Sequence, residues 1–454
     1  MEELSYEKKL GLSLLEVRRI RGDPFERYDT LKELDRVNAA KMFPLMGEFR
    51  TKGHGLRISP EDANVLYSEL PPLIIVPGHT GNRLEAKLNK PALVHWLCMM
   101  HTKSYFTLWL NLNMFLPIGI DCWIDNIRLV YNRTTGRTCN APGVETRVPG
   151  FGKTYSVEYL DSLKLTGYFH TLVQFLVNMG YIRDETVRAA PYDWRVAAYE
   201  QEEYFDKLKK LIEEMHMTYG KSVYLLGHSM GNLYILHFLR QQPQAWKDKF
   251  IHSFISLGAP WGGTVKSLAV LASGDNYGLS LDPLKIREQQ RTTTTNPWLL
   301  PTRRAWPADH IFISTPTYNY TYNDFRKFFT DIGYEDGWFK WQNGKGLLSD
   351  LLPPGVDVYC MYGAGVPTPV TYIYDEGFPS SQPVQIVYGD GDNTVSKNSL
   401  SLCREWKNQQ KQEVHVIELP GTLHLDQIYD INALEAIQDV LLRNYSQQQE
   451  DSRK

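Results

Sequence analysis

Residues 222–238 read SVYLLGHSMGNLYILHF, and no other stretch constrains the fold as strongly. A short apolar run ends at Gly227, an apolar helical spacing resumes after Gly231, and Ser229 stands between the two glycines. G-x-S-x-G alone is a weak signal in a chain of 454 residues; between a strand and a helix it is a strong one. A glycine-rich strand-to-helix turn has no structural use for a serine. A nucleophile elbow does: the turn is so sharp that only small neighbours fit, and the hydroxyl stands at the head of a helix. The helix's first N–H groups there favour developing negative charge.

Comparable runs recur along the chain: PPLIIVPG (71–78), FISLGAP (254–260), VDVYCMYG (356–363), VQIVYGDGD (384–392) and VHVIELPG (414–421). Each is short, rich in β-branched or aromatic residues, and stopped by Gly, Pro or Asp. Helical spacing appears between them, in EEYFDKLKKLIEEMHMTYG (202–220), and after them, in ALEAIQDVLLRNY (433–445). Such strands alternating with helices predict a mostly parallel sheet covered on both faces, with working residues in loops at the carboxyl ends of strands. With the elbow, the predicted class is α/β, an α/β-hydrolase fold with cap and lid insertions.

Two stretches break the alternation, SYFTLWLNLNMFLPIGIDCW (104–123) and the span 275–355, and both are read as insertions over the sheet edge. Residues 1–68 are far more charged than the rest of the chain and are read as a separate extension. The catalytic body is expected over 69–440, with a loop subdomain at 98–122 and a cap at 274–355, before a polar tail at 441–454. Lys+Arg 49 against Asp+Glu 52 leaves a net charge of -3, which argues against a nucleic-acid partner recruited by bulk charge. No segment reaches about 18 uninterrupted apolar residues, the length of a membrane-spanning helix.

A serine hydroxyl needs a base, and the base needs an orienting carboxylate; in this fold they follow in the order Ser, Asp or Glu, His. The candidate bases well beyond Ser229 are His252, His310, His415 and His424. His252 precedes an early strand, His310 falls in an insertion, and His415 lies inside a strand. His424 follows the last strand in LPGTLHLD, where a loop can swing over the serine, and it is the expected base. Asp390 and Asp392 share the turn VYGDGDNTV, and either could orient it; the other would cap the turn. The oxyanion needs N–H donors, expected from the Met230 backbone and, in the loop VPGHTGN after the first strand, from the His79 backbone.

The five cysteines, Cys98, Cys122, Cys139, Cys360 and Cys403, form no CxxC or His–Cys cluster, so no metal site is expected, and the chemistry needs no cofactor. Sequons at Asn132, Asn319 and Asn444 matter only in a secreted chain. The first residues, MEELSYEKKLGLSLLEVRRIRGD, lack the continuous apolar stretch of a secretion signal, so the indications of compartment disagree.

The motifs GNRLEAKLNKP, DCWIDNIRLVYNRT, RVPGFGKTYSVEYLD, APYDWR, GHSMGN, QPQAWKDKF, SLGAPWGG, VLASGDN, GVPTP and GDGDNTV resemble those of the lecithin:cholesterol acyltransferase family, over residues from about 70 to 440. The resemblance implies Ser229, Asp392 and His424 as triad, favouring Asp392 over Asp390, and the N–H groups of His79 and Met230 as oxyanion hole. It implies disulfides Cys98–Cys122 and Cys360–Cys403, a mobile lid at 274–296, and a lipid-contact patch of Trp109, Leu112, Phe115 and Leu116. It further implies transfer of the sn-2 acyl chain of phosphatidylcholine to cholesterol at a lipoprotein or membrane surface, with an apolipoprotein activator and secretion. The family's lysosomal branch, a phospholipase and transacylase using water or ceramide as acceptor, is the alternative. VHWLC, LNMFLPIG, TTTTNPW, RRAWPADH and TYIYDEGFP lean to the plasma branch. His79 and Asn232 stand where that branch has free cysteines, and Ala197 where its mammalian members have a glutamate linked to acyl-chain choice.

Overall fold

The computed structural model describes residues 70–115, 119–278 and 281–452, with side chains through 442. The extension expected at 1–68, Leu116 and the Asn444 side chain lie outside the described residues.

Six strands form the central sheet, in the order Val414–Pro420, Val358–Ala364, Ile251–Leu257, Val223–His228, Leu73–Val76 and Val187–Ala189, and every neighbouring pair is parallel. Leu73–Val76, Val223–His228 and Val358–Ala364 are buried at every position. Continuous rather than alternating burial is what a sheet covered on both faces requires. From Leu73–Val76 the chain runs outward to the edge strand Val187–Ala189, then returns to lay down Val223–His228 on the other side. The direction of winding therefore reverses between Leu73–Val76 and Val223–His228, and the crevice above their carboxyl ends is the switch point where such sheets place their ligands. Val76 is level with Gly227 in this pair. The loop after Val76 must thus stand beside the turn that carries Ser229. This is the α/β-hydrolase fold.

One predicted strand sits elsewhere. Gln385–Gly391 does not join the parallel sheet; it pairs antiparallel with Val366–Ile373, in a second sheet with Ile313–Ser314 and Asn319–Tyr320. Six of its seven residues are at least partly exposed, which an antiparallel edge tolerates and a buried parallel strand does not. The hairpin still delivers its last residues next to the sheet, because Val358–Ala364 runs almost directly into Val366.

The region 104–123 is also more ordered than its irregular apolar pattern suggests. Phe106–Trp109 pairs with Leu84–Leu88, which pairs with Val144–Arg147, and a short 3-10 turn at Leu112–Phe115 and the helix Gly119–Ile127 follow Trp109 along the chain. Disulfides join Cys98 to Cys122 and Cys360 to Cys403, and Cys139 is free and exposed. The span 275–355 carries short helices, among them Pro283–Gln290, Phe325–Asp331 and Glu335–Gly344. The last helix, Ile431–Ser452, buries Ala433, Leu434, Ile437, Val440 and Leu441 on one face, so core packing continues into the expected tail at 441.

Candidate active site

Ser229 lies between the strand Val223–His228 and the helix Gly231–Gln241 with φ 53°, in the left-handed region. Its N–H donates to the Leu257 carbonyl at 2.8 Å, and the Asn232 side-chain amide donates to the carbonyls of Ser229 and Leu257 at 3.0 and 2.9 Å. Close approach explains Gly231: a Cβ there would lie 2.3 Å from the Pro77 carbonyl oxygen and 2.4 Å from that of Val76. The glycine lets the elbow helix press against the end of the neighbouring strand.

His424 reaches Ser229 from the loop after the last strand of the sheet. Its Nε2 is 2.9 Å from Ser229 Oγ, and its Nδ1 is 2.6 Å from Asp392 Oδ2. The His424 backbone N–H also donates to the Asp392 carbonyl at 2.8 Å. Asp392 is fully buried, and its carboxylate is satisfied throughout: Oδ1 accepts the N–H groups of Thr394 and Val395 at 3.1 and 2.7 Å, and Oδ2 also accepts from Gln427 at 3.0 Å. Burying a carboxylate without such partners would cost several kcal/mol. Asp390 is exposed instead; it accepts the Gly365 N–H at 2.6 Å, closing the hairpin beside Lys397.

The other histidines have different surroundings. His310 bonds the Val370 carbonyl at 2.9 Å, and His415 pairs with Glu413 and stacks on Tyr359. His252 lies against Tyr224 at the start of its strand, at the opposite end from Ser229, and burial lowers its pKa to about 4.

The loop after Leu73–Val76 passes directly over the serine: a Cβ on Gly78 would be 2.9 Å from Ser229 Cβ. Its shape is held by Gly81 N–H on the Gly78 carbonyl at 3.1 Å, Tyr192 Oη on the Pro77 carbonyl at 2.8 Å, and Trp109 Nε1 on the Thr80 carbonyl at 2.8 Å. Among the described residues no protein acceptor takes the N–H of His79 or of Met230. Two free backbone donors beside a serine Oγ suit an incoming oxyanion. The His79 imidazole packs edge-on against Trp194 with its Nε2 unpartnered, and burial lowers its pKa to about 4.

Trp109 departs from expectation. It is 3% exposed, ringed by Phe115, Trp123, Trp194 and Tyr277, so it braces the loop over the serine rather than facing a lipid surface. Phe115 is half-buried in the same cluster and Leu112 is exposed. The prominent apolar surface nearby is a group beside Cys98, just ahead of and at the start of the disulfide-closed segment: Val94, Trp96, Leu97 and Met99, with Trp96 79% exposed. Its signal was the string ALVHWLCMM itself, apolar without the period of a strand or helix and interrupted only by a histidine and a disulfide cysteine.

Tyr277 brings the expected lid against Trp109, with ring centroids 5.5 Å apart. Asp275 beside it is bonded reciprocally to Gln290 and paired with Lys266 at 2.8 Å; burial pushes its carboxyl up, but Lys266 holds it below its ordinary value. Ala197 is fully buried, its N–H on Thr294 Oγ1 at 2.8 Å. Asn132 and Asn319 are exposed, Asn132 at the end of the strand Leu129–Asn132 with its Oδ1 accepting the Thr134 N–H, and Asn319 beside Ser314.

A sequence model of lecithin:cholesterol acyltransferase matches residues 105–435. Phosphatidylcholine-sterol acyltransferase from Gallus gallus is 65% identical over 360 residues, covering 79% of this chain and 87% of the relative. The Homo sapiens protein of that name is 59% identical over 377 residues, covering 83% and 86%. Lysosomal phospholipase A and acyltransferase from Homo sapiens is 54% identical over 375 residues, covering 82% and 90%. A parallel sheet that turns at Ser229 beneath two unpaired backbone donors, with identity at this level over most of the chain, leads to one placement: the chain belongs to the lecithin:cholesterol acyltransferase family.

Proposed function

We propose that the chain is a serine acyltransferase that moves the sn-2 acyl chain of phosphatidylcholine to cholesterol. The observation that carries the reading is the unbroken line from Asp392 through His424 to Ser229 Oγ, at 2.6 and 2.9 Å. His424 Nε2 takes the Ser229 proton as Oγ attacks the sn-2 carbonyl. Asp392 holds the imidazole in the tautomer whose Nε2 is free to accept, and stabilises the imidazolium that forms. The backbone N–H groups of His79 and Met230 receive the oxyanion. His424 then returns the proton to the departing glycerol oxygen, leaving lysophosphatidylcholine and an acyl-Ser229 ester. In the second half, His424 takes the proton of the sterol hydroxyl, whose oxygen attacks the ester; the acyl–Oγ bond breaks, His424 returns the proton to Ser229 Oγ, and cholesteryl ester leaves. Transfer competes with hydrolysis only where water is kept from the acyl-enzyme. Tyr277 and Trp109, packed over the loop above Ser229, supply such a cover.

The exposed group Val94, Trp96, Leu97 and Met99, with Leu112, is the surface that dips into a membrane or lipoprotein, as aromatic and aliphatic side chains anchored beside a disulfide can. Docking there is the step an apolipoprotein activator would assist. Secretion fits the two disulfides and the exposed sequon residues Asn132 and Asn319. The functional parts are the catalytic body, the loop subdomain at 98–122 and the cap at 274–355.

Incubation with labelled phosphatidylcholine–cholesterol particles at neutral and acid pH tests the reading. Cholesteryl ester at neutral pH is the expected product. Free fatty acid or acylceramide formed mainly at acid pH would replace it with the lysosomal activity.

A further inference from the structure

His228 precedes the nucleophile, is 1% exposed, and has no part in the proton transfers above. Its two ring nitrogens face opposite sides of the site. Nε2 lies 2.9 Å from the backbone carbonyl oxygen of His424, and Nδ1 lies 2.5 Å from the hydroxyl oxygen of Tyr168. A carbonyl only accepts, so Nε2 carries the proton and Nδ1 offers a lone pair. Tyr168 must then donate its O–H to Nδ1. That leaves the phenol oxygen free to accept, and the Gly78 N–H donates to it at 3.2 Å. One placement of protons satisfies all three bonds.

The groups at the two ends are what make the chain more than core packing. Gly78 immediately precedes His79, whose N–H is one oxyanion donor, and His424 is the base. Tyr168 is itself anchored: its backbone N–H donates to the Glu158 carbonyl at 2.8 Å, and its ring meets that of the fully buried Phe169 edge-on. We propose that Tyr168 and His228 are positioning residues that lock the oxyanion loop to the base histidine across the elbow, fixing both relative to Ser229 Oγ. The proposal rests on the triad assigned under the proposed function. Burial and the neighbouring His424 lower the His228 pKa to about 3, so the bridge is a neutral ring, and burial raises the Tyr168 pKa, keeping its O–H in place. Gly78 gives its N–H to this bridge and is therefore not an oxyanion donor, which leaves that task to His79 and Met230.

Tyr168→Phe removes the hydroxyl and keeps the ring; His228→Gln is a second, independent break. Both are compared with wild type on a soluble short-chain ester and on phosphatidylcholine vesicles, with melting temperature and pH profile measured alongside. A displacement approaching 1 Å at a reacting group costs about 100-fold, so kcat is expected to fall about 10- to 100-fold in each variant with KM little changed. The double variant should be no slower than the slower single one, because both break the same chain. The acid limb of the kcat/KM profile should stay where it is, since a neutral bridge does not titrate there. Wild-type kcat in either folded variant, a loss confined to KM, or an acid limb displaced by about a unit or more would overturn the proposal. Ser229→Ala separates the two levels: turnover surviving in that variant removes the triad reading itself, whereas unaffected Tyr168 and His228 variants remove only the bridge.

Discussion

A serine at φ 53° occupies backbone space that costs a non-glycine residue about 1–3 kcal/mol, and Ser229 is held there by bonds from both of its backbone polar groups. The strain aims Oγ outward, so the elbow depends on its neighbours fitting closely. Gly231→Ala would drive a methyl group into two backbone carbonyls that have little room to retreat. It is expected to lower stability by about 1–3 kcal/mol, read as a shift in urea midpoint; wild-type stability would show that the approach is not as tight as 2.3 Å. Asp392→Asn makes a different demand. An amide that donates to Nδ1 leaves His424 in the wrong tautomer, and kcat should fall about 10⁴-fold with the fold intact. A loss below about tenfold would mean that Asp392 is not the orienting carboxylate.

At the scale of elements, the segment from residue 92 to 115 divides its work between two tryptophans. Trp96 stands out from the surface and Trp109 supports the Thr80 carbonyl from within. Trp96→Ser is expected to weaken binding to phosphatidylcholine vesicles while leaving turnover of a soluble ester near wild type. Trp109→Ser should depress both, because it loosens the loop over the serine. Reversed patterns in the two variants would exchange the roles. Only burial tells these residues apart, and burial around Trp109 is completed by Trp194 and Tyr277 arriving from distant parts of the chain to join Phe115 and Trp123. That is why FTLWLNLNMF did not reveal it. The elbow and His424 were legible for the opposite reason: a strand, a sharp turn and a helix are local, and a histidine after the last strand has few places to go. VQIVYGDGD read correctly as a strand but not as a member of the right sheet, since its partner Val366–Ile373 carries two prolines and gave no strand signal. Tyr168 was invisible in the sequence, lying 60 residues from His228 in no motif of its own.

For the molecule as a whole, imidazoles wholly or partly withdrawn from water set a pH limit. His79, His237 and His252 have pKa values lowered to about 4 and His228 to about 3, all chiefly by burial. Unfolding returns each to about 6.5, so the unfolded chain binds protons that the folded chain refuses. Their stabilisation is complete above pH 6.5 or so and is lost as pH falls toward the folded values; at pH 5 each withholds roughly 2 kcal/mol. Glu158 adds to this only at lower pH: burial opposes its charge, but His170, Arg183 and Thr154 hold its pKa at about 2, so its contribution fades below about 4.5. The urea midpoint should therefore be lower at pH 5 than at pH 7.5, and an equal or higher midpoint at pH 5 would contradict the neutral state of these rings. What the whole arrangement exists to do is place an acyl chain on one oxygen. The most direct measurement is rapid quenching of the enzyme with phosphatidylcholine isotopically labelled in its sn-2 chain, followed by mass spectrometry of the peptide that contains Ser229. The labelled acyl mass should appear on Ser229 and decline when cholesterol is added, as label passes to cholesteryl ester. Cholesteryl ester forming while no labelled acyl group is ever found on Ser229 would contradict the acyl-serine route.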